Sequence, residues 1–201
     1  MSGKKPKILV VGSFVMDQIA STSVFPNEGQ TVLGNDFSKA PGGKGANQAV
    51  QAARLGADVT MFGKLGEDAN AEDMLKVCRE AGINVSHVAR DKNTPSGCSV
   101  IILEQAPGQP TKNRIIVLSG TNMKITPSDV SFLKDTIGQY DLVMLQLEIP
   151  MEINELVAKY AYEKGVPVML NSAPSAPLSD EFLSHLAYIS PNEHEAADLT
   201  G

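Results

Sequence analysis

The chain has 201 residues, of which 42% are hydrophobic, and a formal net charge of -6 at pH 7, so it can bury a sizeable core and its composition argues against disorder. The acidic balance, without clusters of basic and aromatic side chains, argues against a nucleic-acid surface, and no apolar run is long enough to cross a membrane. The lack of a nucleic-acid surface leads us to expect a small-molecule partner. Two cysteines, Cys78 and Cys98, cannot form a disulfide framework or a four-ligand zinc site, so we expect buried thiols in a reducing compartment and a cytoplasmic location.

Short apolar runs recur along the chain, each with the length of a strand that is buried on both faces of a parallel sheet. A basic N-terminus, residues 1–7, leads into the first run, which is too short for a secretion signal. Strands are predicted at residues 8–11, 59–62, 142–147, 166–170 and 186–189. Helices are predicted at residues 46–55, 71–81, 127–137 and 153–163. This alternation predicts an α/β domain with a mainly parallel sheet.

Two segments interrupt the alternation. Residues 19–39 have β-branched residues and turn formers without a helical period, and residues 96–118 are typical of two strands around the turn at 106–110. Together they predict a small accessory sheet. If it covers the carboxyl ends of the parallel strands, it forms a lid over the crevice where such sheets bind ligands; otherwise the segments are hairpins on the edge of the domain.

A glycine-rich loop, A-P-G-G-K-G-A-N-Q-A at residues 40–49, runs directly into the first predicted helix. Glycine lets a ligand approach the main chain, and a helix N-terminus offers unpaired N–H groups. The loop is not a Walker A motif, because Lys44 is followed by Gly45, and it lacks the third glycine of a dinucleotide fingerprint. It predicts a site for hydroxyls, carbonyls or anions, or else only a turn into the helix.

Three polar clusters follow other predicted strands. They are residues 12–17 (G-S-F-V-M-D), 146–148 (Q-L-E) and 191–195 (P-N-E-H-E). Because the carboxyl ends of parallel strands share one edge of a sheet, we expect these clusters and the glycine loop to converge. A carboxylate such as Asp17 accepts two hydroxyls and the amide of Asn47 both donates and accepts, which favours a neutral polyol.

Each of these residues also has a structural interpretation. Asp17 could cap a turn, and Glu148 could be an exposed strand end. Asn192 could be the N-cap of the following helix, with Glu195 at the capping-box position, and could serve the site as well. The histidines at 87, 185 and 194 lie apart without ligand spacing, so we expect no direct metal site. None of the serines lies in a G-x-S-x-G motif, which argues against an α/β-hydrolase.

Taken in order, these clusters closely resemble the ribokinase branch of the PfkB-type carbohydrate kinases, and the G-G-K-G-A-N-Q-A string is specific to that branch. The resemblance covers residues 1–201 as one truncated kinase domain. It implies a ribokinase-like fold of three α/β/α layers with a mainly parallel central sheet. It also implies a small β-sheet lid, formed by about residues 14–40 and 96–119, through which two copies pair into a homodimer.

The resemblance also implies the reaction and the site. It is transfer of the ATP γ-phosphate to the 5-hydroxyl of D-ribose, giving ribose 5-phosphate, with Mg²⁺ and a monovalent cation, K⁺, as further cofactors. The positions matching the sugar-binding residues of the family are Asp17, Gly43, Lys44, Asn47 and Glu148. Asn192 and Glu195 match an N-x-x-E motif that acts near the phosphates and the magnesium shell.

This chain departs from the family pattern at Val15, where many ribokinases have asparagine. A pocket without that polar contact discriminates less against a sugar that lacks a hydroxyl, so 2-deoxyribose or another pentose is the alternative substrate.

A second departure is an absence: no G-A-G-D sequence, which carries the catalytic aspartate and the anion hole of the family, occurs in these residues. We therefore expect no catalytic residue in this chain, with the ATP and K⁺ sites lying beyond it. It is either an inactive fragment of a kinase or a natural chain that binds sugar or another subunit without catalysis. The first is favoured, because cutting a parallel sheet exposes a strand edge. A Rossmann dehydrogenase is a distant third.

Overall fold

A computed structural model describes residues 4–201; residues 1–3, which belong to the predicted domain and to the basic N-terminus, lie outside the described part. The strands are β1 (Lys7–Val11), β2 (Val15–Thr22), β3 (Asp36–Gly42), β4 (Asp58–Phe62), β5 (Lys64–Gly66), β6 (Ala89–Asp91), β7 (Cys98–Glu104), β8 (Lys112–Leu118), β9 (Leu142–Gln146), β10 (Val168–Asn171) and β11 (Tyr188–Ile189). The α-helices are α1 (Lys44–Arg54), α2 (Ala69–Glu80), α3 (Pro127–Val130), α4 (Leu133–Thr136), α5 (Met151–Glu163), α6 (Asp180–Ser184) and α7 (Glu193–Thr200). Short 3₁₀ turns cover Gly120–Lys124 and Ile137–Gln139.

Five parallel strands form the central sheet, in the order β11-β10-β9-β1-β4. Strand β1 lies inside the sheet and is buried on both faces, since Leu9 and Val11 pack with α3 to α6 whereas Val10 packs with α1 and α2. Helices therefore cover both faces of the sheet. The predicted α/β fold with a mainly parallel central sheet is confirmed, and the strand at each predicted position is present within a few residues.

A separate mixed sheet, which we call the second sheet, has the order β3-β2-β7-β8. It comes from the two segments that interrupt the predicted alternation. Strand β2 pairs in parallel with β7, while β3 and β8 run antiparallel at the edges. Three of its strands each direct two alternate residues into one common cavity. They are Val15 and Asp17 of β2, Ser99 and Ile101 of β7, and Ile115 and Val117 of β8. The inner face of the second sheet thus lies over the candidate site, while its motion as a lid stays a prediction.

The helix predicted at residues 127–137 is wrong in detail, because two short helices and a 3₁₀ turn replace it. Thr126 and Asp129 form a capping box that starts α3. The Ser131 hydroxyl then donates to the Ser128 carbonyl at 2.9 Å, and such a local bond competes with the helical ladder. Elements that the sequence did not predict are β5, β6 and α6.

Asp68 anchors the second sheet to the central domain. As the N-cap of α2 it accepts from the Ala71 N–H at 2.8 Å, and it also accepts from the Ser96 N–H at 2.7 Å and the Ser96 hydroxyl at 3.0 Å, just before β7. Burial by itself raises the pKa of Asp68, but these donors, led by the Ser96 N–H, hold it below the ordinary value of 3.8. The ionised Asp68 carboxylate therefore holds the segment that leads into β7.

The expectation of two buried thiols is correct for Cys78 only. Cys78 lies in α2 against the central sheet, and burial raises its pKa to about 11. Cys98 begins β7 and is half-buried. Within residues 4–201, none of the helices has both the length and the apolar character needed to cross a bilayer.

Candidate functional site

The glycine loop connects β3 to α1 and packs against the turn between β1 and β2. Gly43 is the N-cap of α1 and has φ of 94°, a conformation that side chains rarely adopt. Gly45 touches the same turn, because a Cβ added there would lie 2.5 Å from the Ser13 nitrogen. The glycines therefore have the structural role that was one alternative for this loop, and they bring the N-terminus of α1 to the ends of β1 and β9.

Glu148 occupies the N-terminus of α1. Its Oε2 accepts from the Lys44 N–H at 2.9 Å and from the Ser13 hydroxyl at 2.5 Å. The Ser13 oxygen in turn accepts from the Gly45 N–H at 3.2 Å. Glu148 is half-buried, so the interpretation as an exposed strand end is wrong. A carboxylate of the protein thus neutralises the positive end of the helix, and this favours a neutral ligand at the loop over an anion.

Asp17 faces the glycine loop from β2. Its Oδ1 accepts a hydrogen bond from the Ser99 hydroxyl at 2.5 Å. A Cβ added at Gly42 would lie 3.1 Å from Asp17 Oδ2 and 3.9 Å from Asn47 Nδ2, so both polar atoms lie beside this glycine of the loop. Asp17 is therefore a residue within a strand with one oxygen directed to the site, and the interpretation as a turn cap is wrong.

All five residues predicted to bind sugar line one cavity of about 260 Å³. They are Asp17, Gly43, Lys44, Asn47 and Glu148, and the second sheet supplies Val15, Ser99, Ile101, Ile115 and Val117. The predicted convergence of the strand ends is thus present in the structure. Lys44, Asn47 and Glu148 line the cavity from the side of the loop and the central sheet, whereas the second sheet contributes Asp17 and Ser99 among aliphatic side chains.

A second cavity of about 560 Å³ adjoins the first, since both are lined by Val15, Lys44, Val117 and Glu148. Glu195 of α7 reaches this second cavity, as do Asn122 and Pro174. The polar cluster at residues 191–195 therefore also lies at this edge of the sheet, next to the cavity that the five predicted sugar-binding residues line.

Asn192 and Glu195 form a reciprocal capping box at the start of α7, as the sequence predicted. The Glu195 N–H donates to Asn192 Oδ1 at 2.8 Å, and the Asn192 N–H and Nδ2 donate to Glu195 at 2.9 and 3.0 Å. Glu195 is 7% exposed and Asn192 is exposed. The pair holds a carboxylate at the wall of the second cavity. Within the described residues 4–201, no group of three or more acidic, histidine or cysteine side chains is arranged to bind a metal.

Two residues of the site were missed by sequence reasoning, Ser99 and Asn122. Asn122 lies 1% exposed beside the second cavity and bonds both backbone groups of Phe14, accepting from its N–H at 2.9 Å and donating to its carbonyl at 2.7 Å. Ser99 is the polar residue among the inward-facing positions of β7. The strand alternation in residues 96–104 is the signal that could have identified it.

Residues 5–201 match the family described as pfkB family carbohydrate kinase. Known proteins that resemble this chain over nearly its whole length include the following three. A ribokinase from Bacillus subtilis (strain 168) is 41% identical over 192 residues, which cover 96% of this chain and 64% of that protein. A deoxyribokinase from Salmonella typhi is 33% identical, with coverage of 96% and 62%. The structure of Arabidopsis thaliana ribokinase complexed with ribose and ATP matches with a TM-score of 0.84 and 34% identity, with coverage of 98% and 64%, which confirms the expected ribokinase-like fold. The chain spans less than two thirds of each of these proteins.

Proposed function

This chain belongs to the pfkB family of carbohydrate kinases, and on that basis we propose that it is the sugar-binding part of an ATP-dependent ribokinase. The reaction is transfer of the γ-phosphate of ATP to the 5-hydroxyl of D-ribose, giving ribose 5-phosphate. The convergence of Asp17, Asn47 and Glu148 on one cavity carries the proposal. Because the chain spans 64% of the Bacillus subtilis relative, the activity is proposed for the whole enzyme.

The sugar cavity favours a small neutral polyol. Its volume of about 260 Å³ lies below the roughly 300–1,000 Å³ of sites for drug-sized ligands, as suits a monosaccharide. Asp17 Oδ2 accepts from sugar hydroxyls, and the Asn47 amide donates and accepts beside it. Glu148 lines the same cavity, and its Oε2 holds the loop. In such a reaction the protein mainly positions the acceptor hydroxyl and excludes water.

The second cavity is the proposed side of the phosphates. Magnesium prefers oxygen ligands, keeps several waters and uses one or two carboxylates, so Glu195 fits an outer position in its shell. When bound, the ion neutralises charge on the transferring phosphate. Asn192 keeps the Glu195 carboxylate oriented. We assign neither the catalytic base nor the K⁺ ligands to these 201 residues, since G-A-G-D does not occur in them.

A 2-deoxyribose kinase is the second candidate function. Val15 is 6% exposed and lines both cavities, so an aliphatic group faces the sugar where a polar contact would recognise a hydroxyl. The similarity to a deoxyribokinase is consistent with this candidate. The alternative of a sugar-binding chain without catalysis predicts binding but no phosphate transfer.

The proposal is tested by ADP release from the full-length enzyme with ribose and with 2-deoxyribose. Ribose is expected to have the higher kcat/KM, and Val15→Asn to raise the ratio of ribose to 2-deoxyribose about 3- to 10-fold, the effect of one neutral hydrogen bond. Val15→Ala, which adds no polar group, is the control. A polypeptide of residues 1–201 alone is expected to release no ADP.

Each outcome of this assay separates the candidates. Failure of the full-length enzyme to phosphorylate any pentose would refute the kinase proposal. A higher kcat/KM for 2-deoxyribose would favour the second candidate. An unchanged sugar ratio in Val15→Asn would remove the assigned role of Val15, and turnover by residues 1–201 would show that they contain a catalytic base.

Pairing of two second sheets into a cytoplasmic homodimer is also proposed. Strand β8 is an edge strand exposed along its length, and Ile116 and Leu118 on its outer face are 64% and 49% exposed. Exposed apolar edge strands favour association. We expect sedimentation velocity to show a dimer that Ile116→Asp converts to monomer. Leu183→Asp, at an exposed apolar position of α6, is the control; a monomeric parent enzyme would contradict the proposal.

A further inference from the structure

Ser99 lies behind Asp17 in the second sheet. The two residues are directly paired in the register of β7 and β2. Ser99 is 2% exposed, so it is more deeply buried than the carboxylate that it contacts. Its hydroxyl donates to Asp17 Oδ1 at 2.5 Å, and it lines the wall of the sugar cavity. Ser99 therefore lies at the site, although it is almost completely buried.

The bond from Ser99 fixes which oxygen of Asp17 remains for a ligand. A carboxylate on a strand can rotate about two side-chain torsions, and a charge-assisted hydrogen bond to one oxygen selects among these orientations. With Oδ1 held, Oδ2 is the atom beside Gly42 and Asn47. Within residues 4–201, no donor is bonded to Oδ2. The oxygen that remains open is thus the one that faces the glycine loop.

The second carboxylate of the cavity is held in the same way. Ser13 is fully buried and its hydroxyl donates to Oε2 of Glu148, which leaves Oε1 for a ligand. Both carboxylates thus give one oxygen to a buried serine. Ser13 also accepts from the main chain of the glycine loop, so its replacement would disturb the loop itself. Among the described residues, Ser99 makes no such bond to the loop, so its effect on the carboxylate can be measured separately.

We propose that Ser99 is a positioning residue that sets the affinity for the sugar by orienting the Asp17 carboxylate. This inference rests on the proposed function, since it assigns the ligand-facing oxygen of the same site. The preceding inward position of β2, Val15, and the next inward position of β7, Ile101, are aliphatic. Packing on the inner face of this sheet therefore does not require a hydroxyl at residue 99. Orientation of the Asp17 carboxylate does require a hydrogen-bond donor there.

The test uses Ser99→Ala and Ser99→Cys in the full-length enzyme, with Kd for ribose from calorimetry and KM and kcat from ADP release. Both variants are expected to raise Kd and KM about tenfold with kcat changed less than about twofold, because the bond to a charged group is lost before chemistry begins. Cysteine has the shape of serine with a somewhat larger side-chain atom, and its thiol is only a weak donor. Ser21→Ala, a buried serine four residues along β2 from Asp17, is the matched control and is expected to keep the parental Kd.

The outcomes separate this inference from the proposed function. Parental Kd in Ser99→Ala or in Ser99→Cys would overturn the positioning role, since neither side chain supplies the strong donor. An equal rise of Kd in Ser21→Ala would also overturn it, because any disturbance of the sheet would then suffice. A parent enzyme that binds no pentose would refute the proposed function, and the positioning role with it.

Discussion

Replacement of Asp17 by alanine is expected to lower kcat/KM for ribose by about 10³-fold in the full-length enzyme. Each hydrogen bond to a charged group contributes about 1.5–3 kcal/mol, and the carboxylate is proposed to hold two sugar hydroxyls, so roughly 10²- to 10⁴-fold is at stake. The loss should be larger than for Ser99→Ala, because the anchor itself is removed and not only its orientation. A misplaced sugar also misaligns the 5-hydroxyl, so kcat is expected to fall together with the rise in KM.

The measurement is steady-state ADP release over a range of ribose concentrations, with the thermal midpoint measured on the same samples. Asp36→Ala removes a carboxylate from the exposed part of β3 in the same sheet and is expected to keep the parental kcat/KM. Asp17→Asn retains one acceptor oxygen and is expected to lie between the parent and Asp17→Ala. A kcat/KM for Asp17→Ala within tenfold of the parent would mean that Asp17 serves only the fold of the second sheet.

Replacement of Asn122 by alanine is expected to lower the free energy of unfolding by about 3 kcal/mol. The side chain bonds both the N–H and the carbonyl of Phe14, and Phe14 is itself fully buried. Its removal leaves two buried backbone groups without partners, each at a cost of about 1–3 kcal/mol. For a domain of this size the thermal midpoint should fall by about 6–12 °C.

Thermal unfolding followed by circular dichroism measures this effect. Asn113→Ala is the control, because Asn113 is exposed on β8 and its replacement is expected to change the midpoint by less than about 2 °C. Asn122→Asp retains the acceptor for the Phe14 N–H but places a carboxylate against the Phe14 carbonyl, so it too is expected to be destabilised. A midpoint for Asn122→Ala equal to that of Asn113→Ala would show that another group or water replaces the lost bonds.

Most of the central domain could be predicted from the sequence because its elements have strong periods and clear ends. Glycines with positive φ, Gly56, Gly82 and Gly165, follow α1, α2 and α5, and glycine at this position is a helix stop that the sequence shows directly. The region of residues 127–137 could not be predicted in detail, since local bonds of Thr126 and Ser131 decide where each short helix starts and stops. The second sheet could be predicted to exist. Its parallel pairing of β2 with β7 could not, because that contact is between segments about 80 residues apart.

Most residues of the candidate site could also be predicted from the sequence, but the hydrogen bonds that orient their side chains could not. The carboxyl ends of β1 and β9 had to share one edge of a parallel sheet, which brought Asp17 and Glu148 into one region. Which oxygen each carboxylate gives to the protein depends on the partners Ser99 and Ser13. The bond to Ser99 in turn depends on the register between β2 and β7. These details follow from tertiary packing, and no local pattern encodes them.

The carboxylate at the N-terminus of α1 affects both the entry of the sugar and the release of the product. Helix N-termini commonly attract anions, but here the Glu148 carboxylate occupies that position. Asp17 adds a second negative charge to the cavity, and Lys44 contributes one positive charge. A neutral sugar enters such a cavity without electrostatic penalty, whereas a sugar acid or a sugar phosphate is repelled. In the proposed reaction the acceptor becomes an anion, so the residues that admit the substrate also promote departure of the product and limit its rebinding.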